Sequence, residues 1–219
     1  MSKLLWDQVG KRTYETGVDR GVLFTYDSNG YSKGVAWNGL SQISESPSGA
    51  EANKVYADNR VYGTIYSAEE FGFTLQAYTY PDEFEECDGS RELATGITIG
   101  QQTRKKFGFS YRVLQGNDTE STEYGYKIYI VYGCTAAPSS KERSTVNDSP
   151  EMLNFSWEVS TEPIDVDGMK SSAVMIIDST KVSKEVLTKI EEKLYGSESE
   201  EPTILLPSDI KSLVDGASA

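Results

Sequence analysis

The chain contains no histidine. That removes the commonest general base, every Ser-His-Asp or Cys-His arrangement and the usual zinc ligand sets. Its two cysteines, Cys87 and Cys134, lie far apart with no CxxC spacing. Without an activating neighbour in sequence they read as small buried hydrophobes, reduced thiols of a protein kept in a reducing cytosol. Paired carboxylates are the remaining route to hydrolysis, since glycosidases need only two. Asp82, Glu83, Glu85, Glu86 and Asp88 cluster, but on one short helix or turn they form a solvated face. Nothing sets their pKa values apart as an acid–base pair requires. Asp165-Val166-Asp167-Gly168 starts like a calcium loop yet lacks the spaced third ligand and the terminal Glu, so a plain Asp-Gly turn is expected. Gly96-Ile97-Thr98-Ile99-Gly100 is followed by no Gly-Lys-Ser/Thr and makes no phosphate loop. Arg104-Lys105-Lys106 is the one concentrated positive charge; in so acidic a chain it is expected to pair with acids, within the protein or across an interface. No catalytic residue, metal or cofactor is expected.

The elements around these residues are mainly β. Gly21–Tyr26 and Tyr31–Ile43 form a hairpin about Asp27-Ser28-Asn29-Gly30, where Asn-Gly tolerates positive φ. Period-2 alternation marks three strands, each with one buried face: Phe71, Phe73, Leu75, Ala77; then Phe107, Phe109, Tyr111, Val113; then Tyr126, Ile128, Ile130, Tyr132, with Tyr129 and Val131 opposite. Residues 44–59 are polar, small and broken by Pro47 and Gly49, and read as one long loop with Val55 and Tyr56 at its tip. Pro81 followed by acids suggests one short helix over 81–87. A further strand pair is expected at 152–161 and 172–177. The one long helix follows: Ser183 is its N-cap, Val182 and Leu187 its staple, Gly196 its stop, and Val186, Leu187, Ile190 and Leu194 its apolar stripe. Residues 197–201 form an acidic, flexible break. Beyond it Ile204-Leu205-Leu206-Pro207 is apolar again, with a short helix to follow over 208–214; that patch either folds back on its own domain or reaches a neighbouring subunit.

The 219 residues are ample for one β domain. With 34 acidic and 21 basic side chains the net charge is −13, which keeps a protein dispersed and gives no footing for binding nucleic-acid phosphates. No apolar run approaches the ~18 residues of a membrane helix, and the opening Met1–Trp6 meets Asp7 too soon for a signal peptide. The sequons at Asn117, Asn147 and Asn154 are then irrelevant to glycosylation.

Long strands with aromatics on both faces raise the problem of open edges, which template unwanted pairing unless covered, charged or closed. A cyclic homo-oligomer closes them by joining edge strands across subunits. An ordered series of segments resembles the major tail tube proteins of siphophages, the long, flexible-tailed bacteriophages. It comprises LLWDQVGKRTYETGVDRGVLF (4–24), GVAWNGLSQISESPSGAEANKVYADN (34–59), SAEEFGFTLQAYTYPDEFEECDG (67–89), GQQTRKKFGFSYR (100–112), GNDTESTEYGYKIYIVYG (116–133), STVNDSPEMLNFSWEVST (144–161) and the helix end EEKLYG (191–196). None of these strings is catalytic; their order carries the likeness.

The resemblance implies a two-sheet β-sandwich with a flanking α-helix over 1–196, then a linker and tail over 197–219. It implies hexameric rings stacked into a hollow tube, with strands of each subunit joining an inner β-barrel. The protein would partner itself and the tail initiation, tape measure and terminator proteins, be assembled in the host bacterial cytoplasm and reside in the virion tail. DNA would transit the lumen unbound, repelled by acids, and no membrane would be involved. The 44–59 loop, through Ser48, Glu51, Lys54, Val55, Tyr56 and Asn59, is the candidate bridge between rings. The N-terminal segment 2–16 and the tail supply further subunit-contact candidates: Trp6, Arg12, Leu205 and Leu206, with Arg104 and Lys105 from the basic cluster. The alternative is a non-catalytic binding module for carbohydrate or a receptor, using Trp6, Trp37 or Trp157 as platforms; a His-free glycosidase is a remote third.

Overall fold

The computed structural model describes residues 3–143, 145, 148 and 152–217, so Ser2 and the sequon residue Asn147 lie outside it. In chain order the strands are β1 (Thr13–Asp27), β2 (Gly30–Tyr31), β3 (Val35–Trp37), β4 (Leu40–Glu45), β5 (Ser48–Gly49), β6 (Ala52–Ala57), β7 (Arg60–Tyr66), β8 (Glu69–Glu70) and β9 (Gly72–Ala77). A single 3-10 turn at Asp82–Phe84 precedes β10 (Arg91–Ala94), β11 (Ile97–Ile99), β12 (Phe107–Asn117), β13 (Ser121–Ala136), β14 (Phe155–Ser160) and β15 (Val174–Asp178). Two helices close the chain, α1 (Lys184–Tyr195) and α2 (Pro207–Ala217).

The hydrogen-bonded path runs β2-β1-β12-β13-β14-β9-β4, with β15 added on β13 and β3 on β1. It is one sheet folded into two layers and does not close into a barrel among the described residues. The fold-over happens in β13. Its central part pairs with β12 and β15, while Thr135 and Ala136 pair with Ser160 and Val159 of β14 in the other layer. The kink sits at Gly133, whose φ of 58° is left-handed and where a Cβ would strike the Glu162 carbonyl. Only glycine fits there, and the extra residue between the Val131–Phe109 and Cys134–Phe107 pairs is the β-bulge that bends the strand.

Two cores result. Between the sheet layers lies an aromatic cluster in which Trp37, Phe84, Phe109 and Trp157 meet edge-on or tilted, at centroid distances of 4.6–5.7 Å. The second lies between β1–β12–β13 and the helices. There Ile128, Ile130 and Tyr132 meet Val186, Ile190 and Leu194 of α1 and Ile204 and Leu205 of the tail. Thus β12 and β13 are buried on both faces, where alternation alone implied one. The structure is a two-layer sandwich made by one folded-over sheet with helices over one layer, mainly β as expected.

Helix α1 matches expectation in detail. The Ser183 hydroxyl accepts the Val186 amide, Glu185 pairs with Lys189, and Gly196 ends the helix at φ 81°. The short helix at 81–87 is the 3-10 turn, and Asp165–Gly168 lies in a turn closed by the Met169 amide on the Val166 carbonyl. Several expectations are corrected. The first strand starts at Thr13 because its polar first half pairs along β12, held by Arg112 on Asp19. The return strand 31–43 is split into β2, β3 and β4, with Gly39 at φ 75° between the last two. Strands β14 and β15 do not pair with each other, because they flank β13 in different layers. Of the two courses open to the apolar patch at 204–206, the structure takes the first, folding back on its own domain: Tyr132 donates to the Leu205 carbonyl at 2.6 Å, and Ile204 packs on Gly108. Before it, residues 197–202 make a turn in which the Ser197 amide donates to Glu200 and the Gly34 amide to Pro202.

Candidate assembly surface

The residue types weighed for chemistry all have structural partners or burial. Cys87 and Cys134 are free, buried thiols; burial pushes Cys87 up to about 12 and raises Cys134 as well, so both stay neutral and poorly nucleophilic. In the acidic cluster, the largely covered Asp88 side chain, 9% exposed, ties three elements together. It pairs with Arg104 at 3.4 Å and with Lys141 at 2.5 Å, and accepts the Trp157 indole N–H at 3.2 Å. Arg104 also donates to the Ala136 carbonyl, Lys105 pairs with Glu86, and Lys106 pairs with Glu162. The basic cluster therefore meets acids within the protein, Arg104 and Lys105 among them. Among the described residues no group of three or more Cys, Asp or Glu is arranged to hold a metal, and no helix is long and apolar enough to cross a membrane.

What stands out is apolar surface on projecting segments. Residues 44–59, expected as one loop, are instead the end of β4, then β5, then one arm of a hairpin whose other arm is β7. The correction has a local cause. Asp58 and Asn59 both take left-handed φ (50° and 59°), making the two-residue turn that matches strand twist and returns the chain directly. The tip is therefore Asp58-Asn59, with Val55 and Tyr56 on the arm below it. The base is pinned by the β5–β8 bridge, Ser48 opposite Glu70 and Gly49 opposite Glu69. Gly49 has φ 84° and abuts the Ala68 carbonyl so closely that no side chain fits.

The register Ala52–Tyr66, Lys54–Thr64, Tyr56–Val61 places Tyr56, Val61 and Tyr66 on one face and Val55 with Ile65 on the other, while Tyr62 is the extra residue of a bulge. All six are exposed, Tyr62 by 81%. An isolated two-stranded hairpin is marginal in water and needs a third strand or a packed face; this one pairs with no further strand among the described residues.

Of the sequence candidates, Ser48, Glu51, Lys54, Val55, Tyr56 and Asn59 all fall on this unit and are exposed. The sequence reading missed Val61, Tyr62, Ile65 and Tyr66. The alternation in RVYGTIY just after Asp-Asn was the available signal. Trp6 is exposed on an N-terminal arm with Leu4, Leu5 and Val9, and Arg12 donates to the Asp7 carbonyl within that arm. Leu206 is partly exposed; Leu205, at 2% exposure, lies in its own core and presents no contact surface. Trp37 and Trp157, offered as sugar platforms, are core residues. A second hairpin, β10–β11, also exposes Leu93, Ile97 and Ile99.

No family model matches the chain, and no curated protein matches it. Among solved structures it is similar to a chain of the anti-feeding prophage baseplate, at 10% identity and a TM-score of 0.37, covering 83% of this chain and 100% of that one. It is also similar to a chain of the sheath–tube complex of an extracellular contractile injection system in its extended state, at 14% identity and a TM-score of 0.31, covering 73% and 88%. Likenesses this weak carry no functional argument.

Proposed function

We propose that this chain is a non-enzymatic structural subunit of a phage-type tail that assembles with copies of itself. The observation that carries the reading is the β6–β7 hairpin. A two-stranded projection with aromatic and aliphatic side chains on both faces gains its stability from a partner surface. The ordered likeness to siphophage tail tube proteins gives the finer form: hexameric rings stacked into a tube, the hairpin bridging rings, and tail initiation, tape measure and terminator proteins as further partners. Assembly in the host cytoplasm and residence in the virion tail follow from that form. The formal charge of −13 suits a conduit, because acids facing a lumen repel DNA phosphates and let the genome slide. The tail segment 197–217 takes part in this reading as a cover on its own subunit.

Sedimentation over a concentration series, followed by negative-stain microscopy, tests the proposal. Rings or tubes of uniform width are expected. A chain that stays monomeric at every concentration and binds glycans would overturn it in favour of a binding module.

A further inference from the structure

The β1–β12–β13 part of the sheet has two unlike ends. At one, the arm of residues 3–12 leaves the start of β1, moored where the Gly10 amide donates to Asp118 at 2.9 Å and the Asn117 amide group donates to the Gly10 carbonyl at 3.3 Å. Its Leu4, Leu5, Trp6 and Val9 stand in solvent. At the other end, where Thr25 faces Phe107 and Phe107 faces Cys134, a cleft of about 980 Å³ opens between Tyr26, Tyr31, the 163–169 turn and the start of α2. Its walls include Ile164, Met169 and Leu206, with Met169 80% exposed.

Charge matches the two. Lys3 and Lys11 of the arm have no ion pair among the described residues, in a chain that is otherwise strongly acidic. The cleft is lined by three carboxylates against two lysines: Glu162 pairs with Lys106, Asp167 is held by Lys211 at a loose 3.7 Å, and Asp165 takes only the Ser171 hydroxyl among the described residues.

An arm cannot fill the cleft of its own chain. Thirteen residues of β1 separate the two sites, about 40 Å at ~3.3 Å per residue. Beyond the mooring at Gly10 the described part of the arm, residues 3–9, reaches about 25 Å even when fully extended. We infer that the arm docks in the cleft of a second copy, Trp6 and its leucines on the apolar walls and Lys3 or Lys11 against Asp165 and Asp167. Donor and acceptor sites are different surfaces at opposite ends of one strand, so the contact is heterologous and propagates: copies add head to tail along β1. This rests on the self-assembly proposed above and adds its polarity and the contact that sets it.

Disulfide trapping tests it with Trp6→Cys and Met169→Cys, both at exposed positions; the native thiols are buried and silent. The double variant, assembled and mildly oxidised, is expected to give a ladder of covalent oligomers. Each single variant alone should give none, and an equimolar mixture of the two should stop at dimers. Dimers from Trp6→Cys alone would show a symmetric arm-to-arm contact and overturn the inference. So would a disulfide within one chain of the double variant, or no bond at all while that variant still assembles. Wild-type protein that never assembles overturns the self-assembly reading itself, and the polarity with it.

Discussion

In β12 and β13, Phe107, Phe109, Tyr111, Ile128, Ile130 and Tyr132 are all essentially inaccessible to solvent; in β6 and β7, Val55, Tyr56, Val61, Tyr62, Ile65 and Tyr66 stand out in it. The two hairpins use the same residue types and antiparallel ladders. They differ in what the chain supplies on either side. Between the second sheet layer and the helices, β12 and β13 have both faces covered, whereas β6–β7 leaves the sandwich after Glu45 and returns before Gly72 with neither face covered. Apolar alternation thus marks a surface that must be buried and leaves open whether its own chain or another does the burying.

The largest test of this contrast is Trp157→Ala. Truncating a fully buried aromatic among Trp37, Phe84, Tyr80 and Phe155 should cost about 3–5 kcal/mol in urea denaturation. A loss under 1 kcal/mol would mean that the aromatic core is not what holds the layers together.

Alkaline pH probes both cores, through Tyr111 in the first and Tyr132 and Tyr195 in the second. Burial raises the phenols of Tyr111, Tyr132 and Tyr195, that of Tyr195 to about 12. The folded state holds those protons after an unfolded chain, with phenols near ~10, has begun to release them. The stability they contribute is therefore fully present below pH ~10 and falls as pH rises from there toward the folded values. Urea midpoints measured from pH 8 upward should stay level and then drop.

Next in size is Asp88→Asn, which keeps an acceptor for the Trp157 indole but removes the charge facing Arg104 and Lys141. A loss of about 2 kcal/mol is expected, read as a lowered melting temperature. Smallest on folding are Tyr56→Ala and Tyr66→Ala, each within ~0.5 kcal/mol for the monomer because the side chains touch no core. Their effect should appear in assembly instead, as a raised concentration threshold for particles. Full assembly by the double variant would remove the hairpin from the contact.

Several elements were legible because one physical rule governed each. The α1 cap, stripe and stop are local, and β9 alternates because only one of its faces is buried, Phe73, Leu75 and Ala77 lying under 2% exposed. What escaped depends on distant partners. Thr13–Arg20 is polar and falls outside the strand expected at 21–26, yet β12 holds it as strand through backbone pairing and Asp19. The 152–161 and 172–177 segments are each strands, but the fold of β13 decides their neighbours. The assembly surface was half visible. Its Ser48–Asn59 side was singled out, while the return strand went unread because Asp-Asn was not taken as the hairpin turn that its left-handed φ values make it. Asp88 looked like one acid of a solvated face; nothing local announces that Arg104 and Lys141 converge on it.

The fold-over at Gly133 has a mechanical side. Because β13 runs unbroken through both layers, load applied to either is carried along one strand and its ladders on β12, β14 and β15, so the layers cannot slide past one another without rupturing backbone hydrogen bonds. In the assembly proposed above, each copy would act as one braced block. In an array of such blocks the compliance resides in the joints, the slender hairpins and arms between them, so a long array would bend by flexing its seams while every block keeps its shape.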